Sequence, residues 1–227
     1  HKYTFQNRCN EQPELVLGDE STKIFPALKN YYSTIEEARA DLFALYYVMD
    51  PKLVELGVIP SLDVAKSEYC NYIRNGLMVQ LTRVKLGNNL EESHMRNRQL
   101  IASWVYEKGK ETYVIERVNR EGKTYFTIRD YEALRMLFGR LLAEVQRVKS
   151  EGDFEGARNL IENYGVRIDP VLHQEVLERY QKLNVAPYAG FVNPKYRLVE
   201  EEGKVVDVKI EYPTDFLAQM LEYGDNK

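Results

Sequence analysis

The fold is decided by the stretch STIEEARADLFALYY, residues 33–47, which carries the clearest secondary-structure pattern in the chain. Ser33 or Thr34 is predicted to cap the exposed amides of a helix, because a Glu follows each of them three residues later. The pair Asp50-Pro51 ends the helix, since the residue before a proline is disfavoured in helical conformation. Five apolar residues form a stripe at helical spacing: Ile35, Ala38, Leu42, Leu45 and Met49.

Outward from this helix, periodicity and turn residues predict a mostly α, multi-helix domain with one or two short β-hairpins. The hairpins pair residues 111–118 with 123–129 and residues 196–199 with 205–212. The domain boundaries are an irregular lead-in at 1–32, a helical region at 33–185 and C-terminal strands with a short helix at 186–227. Further helices are predicted at about 62–85, 90–108, 130–149, 153–165, 170–183 and 214–223.

Composition excludes several classes of function. The 227 residues are 44% hydrophobic and 29% charged, with a net charge of −4 and no clustered basic patch, so nucleic-acid binding is not expected. No apolar run approaches the roughly 20 residues of a membrane span, and no signal peptide is visible. With only Cys9 and Cys70, a disulfide framework is not expected and a reducing, cytoplasmic location is predicted.

Glu36, Glu37 and Asp41 are the first chemically notable side chains. Glu37 and Asp41 lie four positions apart and share a helix face, where like charges cost roughly 0.2–0.5 kcal/mol. A bound cation would offset this repulsion. The alternative is that Glu36 and Glu37 belong to a capping box and that Asp41 is solvated, and spacing leaves both interpretations open.

Histidine spacing limits any local metal site. His1, His94 and His173 lie far apart, so no His-x-x-x-His pair exists, and no Walker A, G-x-S-x-G or G-x-G-x-x-G motif is present. His94 and Arg98 share a helix face and could stabilise an oxyanion, although an ordinary surface His is the alternative. His173 is expected at the surface.

Three further polar residues have both functional and structural interpretations. Arg197 could bind a peptide carboxylate or form an ordinary salt bridge. Asn71 and Arg74 lie among Tyr, Ile and Leu and are expected in a partly buried hydrogen-bonded network.

The segment IEEARADL, residues 35–42, strongly resembles the Glu-Glu-x-Arg-Ala-Glu/Asp signature of the dipeptidyl-peptidase III family. Four more segments resemble elements of that family in the same order, from about residue 31 to 212. They are NYIRNGL at 71–77, HMRNR at 94–98, KSEGD at 149–153 and PKYRL at 194–198. Five ordered matches are more specific than any one of them.

The resemblance implies the C-terminal portion of a two-lobed zinc metallopeptidase that releases dipeptides from the N-termini of oligopeptides. It makes Glu37 the zinc ligand, with Glu36 and Asp41 orienting two zinc-binding imidazoles of an upstream H-E-x-x-G-H helix. His94 becomes the catalytic histidine. The residues implied for substrate binding or its support are Arg197, Arg98, Asn71 and Arg74.

H-E-x-x-G-H does not occur in the chain, so both His ligands and the general base are missing. We therefore expect a fragment that lacks its N-terminal region, binds zinc incompletely or not at all, and is inactive by itself. The C-terminal strands are expected to pack on the missing lobe. The alternatives are a catalytically inactive peptide-binding relative and a structural domain with no ligand.

Overall fold

The structure is a computed structural model that describes residues 14–17, 20–23, 27–184 and 192–225. Most of these residues are helical, which confirms the predicted fold class. Short 3-10 helices at Lys29–Tyr31 and Val79–Arg83 and a π-helix at Glu162–Val166 adjoin the α-helices. The α-helices are α1 (Tyr32–Val48), α2 (Pro51–Glu55), α3 (Leu62–Leu77), α4 (Ser93–Lys108), α5 (Tyr131–Glu151), α6 (Phe154–Ile161), α7 (Pro170–Lys182) and α8 (Phe216–Asp225).

The described strands form three antiparallel two-stranded sheets. They are β1 (Glu14–Leu17) with β2 (Glu20–Lys23), β3 (Ile115–Arg120) with β4 (Lys123–Ile128), and β5 (Lys195–Glu201) with β6 (Lys204–Glu211). The second and third sheets are the two predicted hairpins. The first lies in the segment expected to be irregular, where no alternating pattern indicated strands.

The chain divides into two compact units, one ending at Lys182 and the other beginning at Leu183. In the first unit, helix α1 packs against α4 and α5, and its predicted apolar stripe is buried. Ile35, Ala38 and Leu42 have no exposed surface, and Leu45 and Met49 have almost none. Burial of this stripe leaves Glu37 and Asp41 on another face of the helix.

The start of α1 differs from the prediction. The 3-10 turn Lys29–Tyr31 leads directly into the helix, and no side chain caps its N-terminus. Ser33 and Thr34 therefore lie inside the helix, and the free amides are upstream of them. The predicted capping box is wrong, because the pattern of Ser, Thr and Glu does not show that helical structure begins earlier.

Helix α3 ends at Leu77, well before the predicted residue 85. The backbone leaves helical geometry at Met78, and beyond it the buried Gln80 donates from Nε2 to the carbonyl of Gly76 at 3.0 Å. In a continued helix the main-chain N–H of residue 80 would bind that carbonyl. Gln80 also donates to the Met95 carbonyl at 3.2 Å, which joins the end of α3 to the start of α4.

His173 on α7 is buried, with 1% of its surface exposed, so the expected surface position is wrong. Its Nε2 lies 3.1 Å from the carbonyl oxygens of both Leu81 and Val84. The imidazole thus joins α7 to the segment after α3. Helical spacing alone does not show this, because the partners come from another part of the chain.

The second unit contains β5, β6 and α8. Gln219 of α8 accepts a hydrogen bond from the main-chain N–H of Asn193 and donates one to its carbonyl, each at 2.8 Å. Lys195 of β5 also pairs with Glu222. None of the helices in the described parts of the chain combines the length and hydrophobicity that crossing a membrane requires.

Candidate functional site

The candidate site begins with Glu37 on α1 and His94 in the first turn of α4. Oε2 of Glu37 lies 3.2 Å from Nδ1 of His94. The two side chains are 36% and 56% exposed, so solvent and ligands can reach both. The fold thus brings together the predicted metal ligand and the predicted catalytic histidine.

Glu92 fixes the backbone that carries His94. It is the N-cap of α4, and its two carboxylate oxygens accept from the main-chain N–H groups of His94 at 2.8 Å and Met95 at 3.0 Å. An acidic N-cap satisfies otherwise free amides and interacts favourably with the helix dipole. The first turn that presents the imidazole to Glu37 is therefore well defined.

Asp41 lies one helical turn beyond Glu37 and is held from the side of α3. The hydroxyl of Tyr72 donates to Oδ2 of Asp41 at 2.8 Å. The same hydroxyl oxygen is 3.1 Å from Oδ1 of Asn97, a buried residue one turn beyond His94 on α4. Burial first, and then the charge of Asp41, raise the pKa of Tyr72 well above its usual value, so the phenol keeps its proton.

Glu36 points to a different set of partners from Glu37. Its Oε1 binds Arg39, and its Oε2 binds the ammonium group of Lys149 at the end of α5. Burial raises the pKa of Glu36, but the two cations outweigh burial and hold the pKa below its usual value. The Lys149 side chain is only 7% exposed, and burial lowers its pKa although Glu36 opposes this. Glu36 therefore joins α1 to α5.

Asn71 and Arg74 lie on the outside of α3, and Arg74 donates to Oδ1 of Asn71 at 3.1 Å. Their expected partial burial is wrong: the Tyr and Ile beside them face the core, whereas these two residues face solvent. Arg98 is half-buried on α4, close enough to Tyr72 for its charge to oppose the rise of the Tyr72 pKa. Only Arg98 among the three is thereby placed beside the residues around Asp41.

Arg197 belongs to the second unit and lies on β5. Its Nε is 2.7 Å from Oε1 of Glu211 on β6, which lies two residues beyond the cross-strand partner of Arg197, Lys209. The Arg197 side chain is well exposed. This contact is the salt bridge that was the alternative to peptide binding, and an exposed guanidinium can exchange such a partner for a peptide carboxylate.

Comparison with known proteins shows which family the chain belongs to. The model of Peptidase family M49 matches residues 18–213, most of the chain. The chain belongs to peptidase family M49. This confirms the resemblance recognised from the five sequence segments, and M49 is a family of metallopeptidases.

Individual M49 relatives match the chain over a limited part of their own length. Dipeptidyl peptidase 3 of Homo sapiens and that of Mus musculus are each 27% identical over 188 residues, covering 75% of this chain and 26% of the relative. The structure of DPP III from Caldithrix abyssi has a TM-score of 0.55 and 23% identity, covering 74% of this chain and 29% of that one. DPP III from Corallococcus sp. strain EGB gives 0.52 and 21%, covering 74% and 28%. The chain thus spans about a quarter of the length of the curated relatives.

The donor set of this M49 chain fits one part of a zinc site. Glu37 offers an accessible carboxylate, and carboxylate oxygen is a common zinc ligand. A catalytic zinc usually takes three protein ligands. Within the part of the chain that the structure describes, no group of three or more His, Cys, Asp and Glu side chains could hold a metal ion. Glu37 therefore fits as a single ligand, and the described residues do not complete a three-ligand set around it.

Three residues around this M49 site were missed by sequence reasoning: Tyr72, Asn97 and Lys149. Tyr72 lies in the buried stripe of α3, and a buried tyrosine hydroxyl normally finds a hydrogen-bond partner. Lys149 follows Val145 by four residues in the buried stripe of α5, an unusual place for an unpaired lysine. Both positions signalled a polar contact, but the sequence did not reveal its partner.

Proposed function

We propose that this chain is the C-terminal portion of a zinc-dependent dipeptidyl-peptidase III that releases dipeptides from the N-termini of oligopeptides. The observation that supports it is the accessible pair Glu37–His94, with 3.2 Å between Oε2 and Nδ1. The upstream polypeptide would contribute an H-E-x-x-G-H helix with two histidine ligands and the general base. Membership of M49 and the small share of each relative that the chain covers agree with this division.

In this proposal Glu37 holds zinc through its exposed carboxylate. Bound zinc supplies Lewis-acid polarisation of the substrate carbonyl and lowers the pKa of a bound water. Asp41, fixed by Tyr72, orients one of the zinc-binding imidazoles from its place one turn along α1. Glu36 was expected to orient the other imidazole, but its two oxygens bind Arg39 and Lys149. We therefore propose that Glu36 holds α1 in place against α5 instead.

His94 donates a hydrogen bond to the negative charge that develops on the scissile carbonyl oxygen. Its exposed imidazole and capped helix turn suit this role, because a preorganised donor stabilises charge without reorganising. We also propose that Arg98, Asn71 and Arg74 bind the peptide or support the residues that bind it. Arg197 is proposed to bind a carboxylate near the C-terminal side of the peptide after releasing Glu211.

The hairpin of the second unit supplies the proposed contact with the missing lobe. Tyr196 pairs with Ile210 and Leu198 with Val208, so four apolar side chains lie on one face of the hairpin, each 44–67% exposed. A two-stranded sheet alone is marginally stable in water. We propose that upstream polypeptide covers this face. Ile210→Lys would then lower the unfolding temperature of the longer protein but not of the 227-residue chain, and equal effects on both would contradict the proposal.

The second candidate function is a catalytically inactive peptide-binding or structural relative. It is favoured by one observation: the 227 residues contain no H-E-x-x-G-H motif. The coding sequence upstream of His1 distinguishes the candidates, because an H-E-x-x-G-H motif there supports the peptidase. The isolated chain is expected to be inactive under both, and the cytoplasmic location stays a prediction.

The decisive experiment measures zinc in the full-length protein by mass spectrometry after dialysis. Glu37→Ala is expected to lose zinc and dipeptide release together. Glu55→Ala is the matched control, since Glu55 is an exposed glutamate on α2 whose partner is Lys52. Full zinc in the Glu37→Ala protein would remove Glu37 from the ligand set and overturn the proposed function.

A further inference from the structure

Tyr72 joins the two helices that carry Glu37 and His94. Its hydroxyl meets Asp41, one turn from Glu37 on α1, and Asn97, one turn from His94 on α4. Tyr72 itself comes from the third helix, α3. The three helices thus meet at one buried phenol, one turn along α1 from Glu37 and one turn along α4 from His94.

The hydroxyl of Tyr72 can serve one acceptor at a time, because a phenol has one proton. A hydrogen bond to a carboxylate is stronger than one to an amide oxygen, so the proton goes to Asp41 at 2.8 Å. The amide of Asn97, turned by 180°, can then donate to the phenol oxygen. In either orientation of the Asn97 amide, the bond from Tyr72 fixes Oδ2 of Asp41 and leaves Oδ1 for another partner.

We propose that Tyr72 is a positioning residue of the zinc site, which fixes Asp41 and, through Asp41, the imidazole that Asp41 orients. This inference rests on the proposed function. In this arrangement the buried Tyr72 would contact neither zinc nor peptide. Its contribution is the direction in which Asp41 presents its second oxygen, and groups that orient metal ligands in this way affect metal affinity by about 10–100-fold.

Tyr69 provides a matched control on the same helix, one turn before Tyr72. It is also buried, and its hydroxyl also donates to α1, but to the main-chain carbonyl of Leu45 at 2.7 Å. Tyr72→Phe and Tyr69→Phe each remove one buried hydroxyl and keep the ring. Both should lower the unfolding midpoint, whereas only Tyr72→Phe should weaken zinc binding.

The test measures the zinc dissociation constant of the full-length protein by chelator competition. Tyr72→Phe should raise it about tenfold, the low end of the range for groups behind a ligand, and Tyr69→Phe should leave it unchanged. In an Asp41→Asn background, Tyr72→Phe should change it less than about twofold, because two groups that act as a unit are not additive. At saturating zinc, KM for the peptide should be unchanged.

Three other results would each overturn the inference about Tyr72. Unchanged zinc affinity in Tyr72→Phe, with zinc lost in Glu37→Ala, would make Tyr72 a purely structural residue and leave the proposed function in place. A full tenfold loss in the Asp41→Asn background would show that Tyr72 does not act through Asp41, which also overturns the inference. Zinc retained in Glu37→Ala would overturn the proposed function and this inference with it.

Discussion

The carboxylate of Glu37 and the imidazole of His94 lie 3.2 Å apart, although they belong to helices α1 and α4. The sequence around each residue does not indicate the other as its partner, since no second histidine lies near either one. Packing of α1 on α4 brings them together. Both remain accessible, whereas in the neighbouring Glu36–Lys149 pair the lysine is buried.

Replacing His94 separates catalysis from metal binding. His94→Ala in the full-length protein should keep its zinc, because the proposed ligand is Glu37, and should lower kcat roughly 10²–10³-fold, as expected for the loss of one oxyanion donor. His94→Gln, which retains an N–H donor, should recover part of kcat. Steady-state kinetics and zinc analysis check this. Loss of zinc in His94→Ala would instead make His94 a ligand, and an unchanged kcat would make it a bystander.

The sequence predicted those features that depend on local pattern. The stripe from Ile35 to Met49 is buried as expected, because the period of a helix face is local information. The cap at Ser33 or Thr34 was wrong because a preceding 3-10 turn changed where the helix begins. His173 was misplaced because its carbonyl partners follow α3, far away in sequence.

In the candidate site too, some residues could be predicted from the local sequence and others could not. Glu37 and His94 were found through motifs, whereas Tyr72 and Lys149 were missed although each lies in a buried helical stripe. A stripe predicts that a side chain is buried but not which group faces it. Their partners, Asp41 and Glu36, lie on a separate helix, and only the packing of α3 and α5 against α1 reveals them.

Glu36 should make the free energy of unfolding depend on pH in the acidic range. Its pKa is lower in the folded protein than the usual 4.5, so its pairing stabilises the fold above that pH, and this stability is lost as pH falls through the folded pKa. Glu36→Gln should cost about 1–2 kcal/mol at pH 7, less than a fully buried pair because solvent screens part of the interaction. Denaturant unfolding from pH 7 to pH 3 should show a smaller acid-dependent loss in Glu36→Gln.

Glu55→Gln is the control for this pH dependence. Glu55 also pairs with a lysine, Lys52, but both side chains are well exposed, so its removal should leave the acid-dependent loss unchanged. If Glu36→Gln and Glu55→Gln gave the same profile as the parent, the Glu36–Lys149 pair would not contribute to stability.

His173 should matter for stability rather than for chemistry. His173→Leu keeps an apolar body of similar size but leaves the carbonyls of Leu81 and Val84 without this donor, which costs roughly 1–3 kcal/mol. His94→Leu, at an exposed position, should change the free energy of unfolding by less than about 0.5 kcal/mol. Urea unfolding of both variants measures the difference, and equal values would contradict the structural role of His173.

Gly76 connects the packing of the helices to the site. A Cβ at this position would lie 2.6 Å from the main-chain oxygen of Arg98 and 2.7 Å from Cβ of Ala102, so α3 and α4 approach too closely for any side chain. Gly76→Ala should cost about 1–3 kcal/mol, because the main chain of α4 must move to relieve the contact. Gly224→Ala, a helical glycine with nothing near its Cβ, should be neutral or stabilise by up to about 1 kcal/mol.

Moving α4 away from α3 also separates Asn97 from Tyr72, one turn before Gly76. We therefore expect Gly76→Ala to weaken zinc binding in the full-length protein as well as stability, whereas Gly224→Ala should alter neither binding nor turnover. Thermal unfolding and chelator competition on the same samples measure both effects. A Gly76→Ala protein with parental stability would show that the helices can separate at no cost, and then the close approach of α3 and α4 could not be what holds Tyr72 between Asp41 and Asn97.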